Sequence, residues 1–394
     1  MWIFDLLIFI VGINLVAFVH EFGHYFFTRR AGARVIEFGF GFPPRLFGFY
    51  KENGKWNFVR GNKKVETQST IISVCRFPVG AFVNIKSSRE DGQEWQGDSD
   101  DFDNKPIGKR FLALLGGVLA NFLLAALIFQ IIFAVNGYTL EQTFFGNFSF
   151  PFYQTAHGVM IGQVATSSPA LKSGIREEDI VVSINGEKVK GADNFKDFID
   201  ANKGKEIVLG VKKYPDGQLR EVKVTPRLNP PPGQGSLGVS FGNFAKLDYS
   251  QSFLSKAFAG LAHSYNMCAL LLSSLGYIFQ RAFATGNPAM IAGAVGGPVA
   301  IYAATKMSLA AGFITYLNLM ALVSLALAVT NILPLPALDG GRLVFLLYEL
   351  VTGKKAPVKV EATINGVGFI LMLILAVAII FKDLAQFGKI IFSP

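Results

Sequence analysis

Long apolar stretches alternate with polar segments along the chain, and four of them are long enough to cross a bilayer. The first covers 6–27, which at about 1.5 Å per helical residue spans roughly 33 Å, against about 30 Å for a hydrocarbon core. The others cover 111–135, 310–338 and 364–381. This pattern predicts a mainly α polytopic membrane protein with four transmembrane helices.

Between the first two spans the pattern changes to short β-rich pieces separated by Gly and Pro, which predicts a small sheet. The pieces are 35–40, 46–50, 56–60, 70–77 and 81–85. The tips at 38–44 and 77–83 are too apolar for a loop in water, so we expect this β segment to dip into the membrane. A cytoplasmic β subdomain without a substrate role is the alternative.

A soluble α+β insertion follows the second span. It contains a strand, an Asn185-Gly186 turn and a second strand, then a helix over 192–201. Pro230-Pro231-Pro232 predicts a stiff extended spacer, and 250–283 reads as an amphipathic or buried helix.

The full division of the chain follows from these patterns. The segments are 1–30 (first span), 31–105 (β region and acidic loop), 106–136 (second span), 137–228 (soluble domain), 229–309 (linker, amphipathic helix and Gly-rich segment), 310–342 (third span), 343–363 (loop) and 364–394 (fourth span and tail).

Basic residues at the span ends predict the orientation of the chain. Arg29-Arg30 follow the first span, and Lys105, Lys109 and Arg110 precede the second, so both ends face the cytoplasm. The two termini and the soluble domain are then extracytoplasmic. The net charge of +9 includes no basic stripe interleaved with aromatics, so we expect no nucleic acid partner.

The first span contains the pattern H-E-x-x-H as His20, Glu21 and His24. Histidines four residues apart lie on one helix face, where they can bind zinc while the glutamate acts on a water molecule. The chain has only four histidines, and polar groups inside a membrane are costly, at about 2.5 to 3.5 kcal/mol for a central charge. Their presence there favours a catalytic zinc site over a packing role.

A third ligand is expected at Asp339. Pro334 and Pro336 must end the third helix, so the following Asp339 can turn inward and complete a three-ligand zinc site. A simple turn is the alternative. The two cysteines, Cys75 and Cys268, lie in different segments and support neither a disulfide nor a thiolate zinc site.

The position of Asp339 also constrains the topology. It shares a membrane face with the histidines only if an odd number of crossings separates the first and third spans. The second span supplies that number, so we expect the uncharged stretch 282–305 not to cross.

Taken together, H-E-F-G-H, N-x-x-P-x-P-x-L-D-G-G over 331–341 and K-P-x-x-K-R over 105–110 before a G-x-x-x-N span resemble the site-2 protease family. The similarity is to its bacterial branch, the regulators of sigma-factor signalling. It implies that His20, His24 and Asp339 bind Zn2+ and that Glu21 is the general base. It also implies that Asn121 and Asn331 lie near the scissile peptide.

Two of these features stay open on the residues alone. Asn121 suits a structural hydrogen bond as well as active-site duty. Gly116-Gly117 stand where many family members carry Gly-Pro, which leaves the local helix geometry undecided.

The soluble domain resembles a bacterial PDZ domain through Ser168-Pro169-Ala170, Gly174-Ile175 and Ile184-Asn185-Gly186, with Glu178 where that family often has Gly. Such domains accept peptide C-termini by strand addition. They also suit a size filter, which would admit only substrates whose outer domain has been trimmed.

The expected function is hydrolysis of peptide bonds within transmembrane segments. Single-span substrates such as anti-sigma factors or remnant signal peptides are implied by the resemblance. We expect the β segment, through Pro78, Gly80 and Val83, to hold the substrate extended. A PDZ-based membrane scaffold with a structural zinc is the alternative. A metal transporter is disfavoured because the spans carry no second charged relay.

Overall fold

The computed structural model describes residues 2–87, 98–144, 148–214, 217–287 and 289–392. These form two compact units, which we call the helical unit (Met1–Ile132 with Pro288–Pro394) and the β unit (Phe133–Asn287).

The helices, in chain order, are α1 (Trp2–Arg30), α2 (Ile107–Asn136), α3 (Pro169–Lys172), α4 (Ala192–Ala201), α5 (Phe253–Ala257), α6 (Ala259–Thr285), α7 (Ala289–Ala294), α8 (Pro298–Ala311), α9 (Phe313–Ile332), α10 (Asp339–Thr352) and α11 (Val358–Phe392). The strands are β1 (Val35–Glu52), β2 (Lys55–Arg60), β3 (Ile71–Ile85), β4 (Thr139–Phe144), β5 (Gln154–Val164), β6 (Asp179–Ile184), β7 (Glu187–Lys188), β8 (Ile207–Lys213), β9 (Leu219–Val224) and β10 (Val239–Asp248).

Five of the described helices are long and apolar enough to cross a membrane, whereas four were predicted. They are α1, α2, α6, α9 and α11. The count of four is therefore not confirmed. The additional candidate, α6, lies where the sequence predicted an amphipathic or buried helix over 250–283. Among the described residues of 282–305, no helix of that length begins, since α8, the longer of the two that begin there, has 14 residues and spans only about 21 Å.

Two predicted spans differ from the observed helices by six or more residues at one or both ends. The third was predicted over 310–338, but α9 ends at Ile332 and Leu333 is extended with φ −64° and ψ 143°. Proline cannot continue a helix, so Pro334 and Pro336 make 333–338 a connector between α9 and α10. The fourth was predicted over 364–381, and α11 extends it in both directions.

The relative directions of three helices follow from their contacts in the helical unit. The Tyr316 hydroxyl donates to the Ile8 carbonyl at 3.2 Å, and Asn331 approaches His20, so α1 and α9 run parallel. The α2 helix is antiparallel to both. It meets α1 at Gly116, where an added Cβ would lie 2.5 Å from the Gly23 carbonyl oxygen.

The β segment of the helical unit is a three-stranded antiparallel sheet in the order β2-β1-β3. Strand β3 folds around the first half of β1, so that Phe38 has both Ile72 and Val83 as partners. Among the described strand pairings, the segment 81–85 is hydrogen-bonded only to β1. The second half of β3 is therefore an edge.

The β unit is built on a seven-stranded sheet in the order β4-β10-β5-β6-β8-β9, with β7 paired to β6. The helix predicted over 192–201 is α4, and its Phe195 lies in a core with Val181 and Leu209. Asn185 and Gly186 have φ of 48° and 86°, as a two-residue hairpin turn requires.

Strands β4 and β10 of this sheet were not predicted. Strand β10 lies within the segment 229–309, assigned to a linker and helix, yet it pairs with both β4 and β5. Glu178 stands where PDZ domains often have glycine. Its backbone is left-handed, with φ 66°, a conformation that strains glycine less than other residues. The PDZ assignment itself stays a prediction.

Candidate metal centre

His20 and His24 lie one turn apart on α1 and turn their Nε2 atoms toward each other at 3.2 Å. Both histidines are buried: His20 is 6% exposed and His24 is 8% exposed. The four-residue spacing places both rings on the helix face that meets α2 and α9. Two nitrogen donors are thereby presented to one small space.

Asp339 enters the same space from the start of α10. Its Oδ2 lies 3.1 Å from His20 Nε2 and 3.1 Å from His24 Nε2. The two glycines that follow allow this approach, since a Cβ on Gly340 would overlap the Leu333 carbonyl and one on Gly341 would lie 2.5 Å from the Leu335 oxygen. The Asp-Gly-Gly run therefore folds α10 tightly against the connector.

In each imidazole, the Nδ1 atom that faces away from the other ring also lies near a polar group. The Nδ1 of His24 donates a hydrogen bond to the Ala113 carbonyl at 2.8 Å. The Nε2 of His24 is then unprotonated, and its lone pair can bind a metal ion. The Asn121 carboxamide lies 3.4 Å from Nδ1 of His20 through Nδ2, and its Oδ1 has no partner among the described residues. A 180° turn of the amide brings Oδ1 onto that ring nitrogen, so Asn121 can fix the His20 tautomer.

Gly117 keeps the space between the rings open. A Cβ at this position would lie 2.5 Å from His24 Nε2 and 2.6 Å from His20 Nε2. The sequence indicated only close packing for Gly116-Gly117. The signal that could have identified Gly117 is its place one turn before Asn121 in the G-x-x-x-N pattern.

The donor set fits zinc. Two imidazole nitrogens and one carboxylate oxygen are a usual ligand set for hydrolytic zinc, and ligands at about 2.0–2.2 Å from a tetrahedral ion lie about 3.3–3.6 Å apart. The observed separations of 3.1 to 3.2 Å are close to this range. These three residues are also the only group of this kind found among the described residues.

The predicted base and one of the predicted substrate residues lie together. The Glu21 carboxylate lies beside the backbone of Val83 and interacts electrostatically with the three candidate ligands. Val83 belongs to the edge segment 81–85, so a strand edge borders the candidate metal centre. Asn331 also faces the centre, with its Nδ2 3.5 Å from His20 Nε2.

Pro78 and Gly80 have a role that the sequence did not reveal. Asn14 on α1 donates to the Pro78 carbonyl at 3.1 Å and accepts from the Gly80 amide at 2.8 Å. The turn that precedes the edge strand is thus attached to the helix that carries the histidines. Neither spacing nor composition singled out Asn14.

Fold and site together define a metalloprotease built on membrane-type helices, and comparison with known proteins gives its family. A sequence profile for peptidase family M50 matches residues 8–375. The chain therefore belongs to peptidase family M50, the site-2 protease family of zinc metalloproteases, and is a metalloendopeptidase.

Several bacterial proteins are similar to this chain over nearly its whole length. Zinc metalloprotease RasP of Geobacillus kaustophilus is 25% identical, covering 96% of this chain and 97% of the relative. RasP of Oceanobacillus iheyensis is 24% identical, covering 96% and 98%. The regulator of sigma-W protease RasP of Bacillus subtilis is 24% identical, covering 98% and 99%.

Proposed function

We propose that His20, His24 and Asp339 hold the zinc ion and that the enzyme cleaves peptide bonds within transmembrane segments of single-span proteins. The observation that carries this proposal is the convergence of three donor atoms from α1 and α10 within 3.2 Å of one another. The convergence lies among helices long and apolar enough to cross a bilayer. Cleavage within the membrane follows from that setting.

The roles of the surrounding side chains follow from their positions. Zinc in such a site supplies Lewis acidity, which acidifies water and polarises a peptide carbonyl. Glu21 accepts the proton of the attacking water and passes it to the leaving amine. The Asn331 amide donates to the developing oxyanion, a contribution of about 2.7 to 4 kcal/mol for such donors.

The edge strand 81–85 suits an unwound substrate. A transmembrane helix hides its amides in its own hydrogen bonds, so it must open before a peptide bond can be attacked. Pairing with a strand edge replaces the lost backbone hydrogen bonds and holds the segment extended. Val83 adjoins Glu21, so a paired substrate would lie beside the base.

The substrates we propose are anti-sigma factors or remnant signal peptides. The sigma-W regulator among the relatives supports the first of these.

We place the termini and the β unit outside the cytoplasmic membrane, because Arg29-Arg30 follow α1 and Lys105, Lys109 and Arg110 cluster at the start of α2. We propose that the β unit is a PDZ domain, which accepts peptide C-termini or excludes untrimmed substrates.

The test compares wild type, Glu21→Gln and Glu52→Gln on a panel of tagged single-span anti-sigma factors and signal peptides in detergent. Glu52 is exposed on β1 and serves as the control. We expect Glu21→Gln to keep one zinc per chain by mass spectrometry and to lose cleavage. Turnover by Glu21→Gln at the wild-type rate would exclude Glu21 as the base.

A further inference from the structure

The connector 333–338 leads directly into Asp339, and its backbone is strained. Ala337 has a left-handed conformation with φ 68°, which is unfavourable for any residue that carries a Cβ. Such a conformation persists only where the surrounding structure holds it. The Leu338 amide donates to the Leu335 carbonyl at 3.3 Å, so the connector forms a tight turn. A shift of Ala337 would therefore move Asp339, which follows two residues later.

Two residues of α11 contact this turn. The Asn365 Oδ1 atom accepts a hydrogen bond from the Ala337 amide at 3.3 Å. Gly368 packs directly on Pro336, since a Cβ at Gly368 would lie 2.2 Å from Pro336 Cβ. Residues three apart share a helix face, so both contacts come from the same side of α11. The connector is therefore held by a hydrogen bond at Ala337 and by close packing at Pro336.

Helix α10 contacts the same proline. A Cβ at Gly341 would lie 3.2 Å from Pro336 Cα and 2.5 Å from the Leu335 carbonyl oxygen. Both α10 and α11 thus meet the connector through a glycine, with no side chain between the backbones. Because the contacts are this close, the connector can move only if one of these helices moves too. The position of Asp339 therefore depends on α11 as well as on its own helix.

The contact at the connector stands out because α11 is exposed along most of its length. Gly368 is the only buried residue between 354 and 382, all of which the structure describes. The next buried residue is Asp383, whose Oδ2 accepts hydrogen bonds from the Gly297 and Ala300 amides at 2.8 Å and 3.1 Å. The inward side of α11 thus contacts the start of α8 near one end and the connector near the other.

We propose that α11 positions the third zinc ligand. Asn365 and Gly368 hold the connector in the left-handed turn that brings Asp339 Oδ2 to within 3.1 Å of His20 Nε2 and His24 Nε2. This inference rests on the proposed zinc site, in which Asp339 is a ligand. Asn365 and Gly368 are positioning residues, because they contact the connector and act on zinc only through Asp339.

The test is a double-mutant cycle on zinc affinity, measured by competition with a chelator on the full-length protein in detergent. Gly368→Ala adds a methyl group against Pro336, and Asp339→Ala removes the carboxylate. Gly366→Ala is the matched control, because it adds the same methyl group to the same helix where nothing lies within 4 Å. Both glycine variants change the helix propensity of α11 equally.

We expect Gly368→Ala to weaken zinc binding as much as Asp339→Ala does, by about 10-fold or more, and Gly366→Ala to bind zinc as wild type does. The double variant should bind no more weakly than Asp339→Ala alone, because both changes remove the same ligand. Wild-type affinity in Gly368→Ala, or additive losses in the double variant, would overturn this inference and leave the zinc site standing. Wild-type affinity in Asp339→Ala would overturn the ligand assignment as well.

Asn365 gives a second test that adds no bulk at Pro336. Asn365→Leu removes the acceptor for the Ala337 amide and should weaken zinc binding about 10-fold, but should have no effect when Asp339 is already alanine. Asn365→Asp retains an acceptor oxygen and should bind zinc nearly as wild type does. A loss of the same size with and without Asp339 would show general destabilisation and overturn the positioning role.

Discussion

Asp339 Oδ2 lies 3.1 Å from His20 Nε2 although 319 residues separate them in the chain. The contact depends on where α9 ends, because the prolines that terminate it place Asp339 at the first turn of α10. Zinc binding by this pair of segments would therefore couple the first and last thirds of the protein.

Gly117 gives a sharp test of the space between the imidazoles. Gly117→Ala should abolish stoichiometric zinc binding, since the added methyl group would lie 2.5 Å from His24 Nε2. Gly108→Ala, on the same helix with open space around it, is the matched control and should bind zinc as wild type does. Zinc content by mass spectrometry checks both. Full zinc occupancy in Gly117→Ala would show that the ion lies elsewhere.

Asn121 is expected to act through His20. Asn121→Leu removes the partner of Nδ1 and should weaken zinc binding by about 10–100-fold, the usual effect of losing such a partner. Asn121→Asp retains an acceptor oxygen at this position and should bind zinc more tightly than Asn121→Leu. Competition with a chelator of known affinity measures both constants. Equal affinities in the two variants would contradict a hydrogen bond to the ring.

Asn14 should affect substrate turnover and leave the metal in place. Asn14→Leu removes two hydrogen bonds that attach the 78–80 turn to α1. At about 0.5–1.5 kcal/mol each, their loss should lower kcat/KM by about 5- to 150-fold with zinc content unchanged. Asn57→Leu on β2 is the control and should cleave normally. Wild-type kcat/KM in Asn14→Leu would show that the turn needs no such attachment.

Much of the helical unit could be predicted from the sequence because its signals are local. The four-residue histidine spacing, the helix-ending prolines and the long apolar runs are each visible within one continuous stretch of the chain. The structure indeed brings His20, His24 and Asp339 together. Their role as ligands stays a prediction that the geometry supports.

The remaining features depend on contacts between distant segments. Gly117 and Asn14 matter because of what faces them across a helix interface, and no local period reveals this. Strand β10 follows a proline run and gains its partners from β4, about 100 residues earlier. The α6 helix has apolar content typical of a span, and its contacts with Asp193 and Tyr249 join residues that are distant in the chain.

Anomalous X-ray diffraction on zinc-loaded crystals, recorded on both sides of the zinc absorption edge, tests the central claim most directly. We expect one peak about 2.0–2.2 Å from His20 Nε2, His24 Nε2 and an Asp339 carboxylate oxygen. A peak that lacks the Asp339 carboxylate, or that lies away from both imidazoles, would contradict this account.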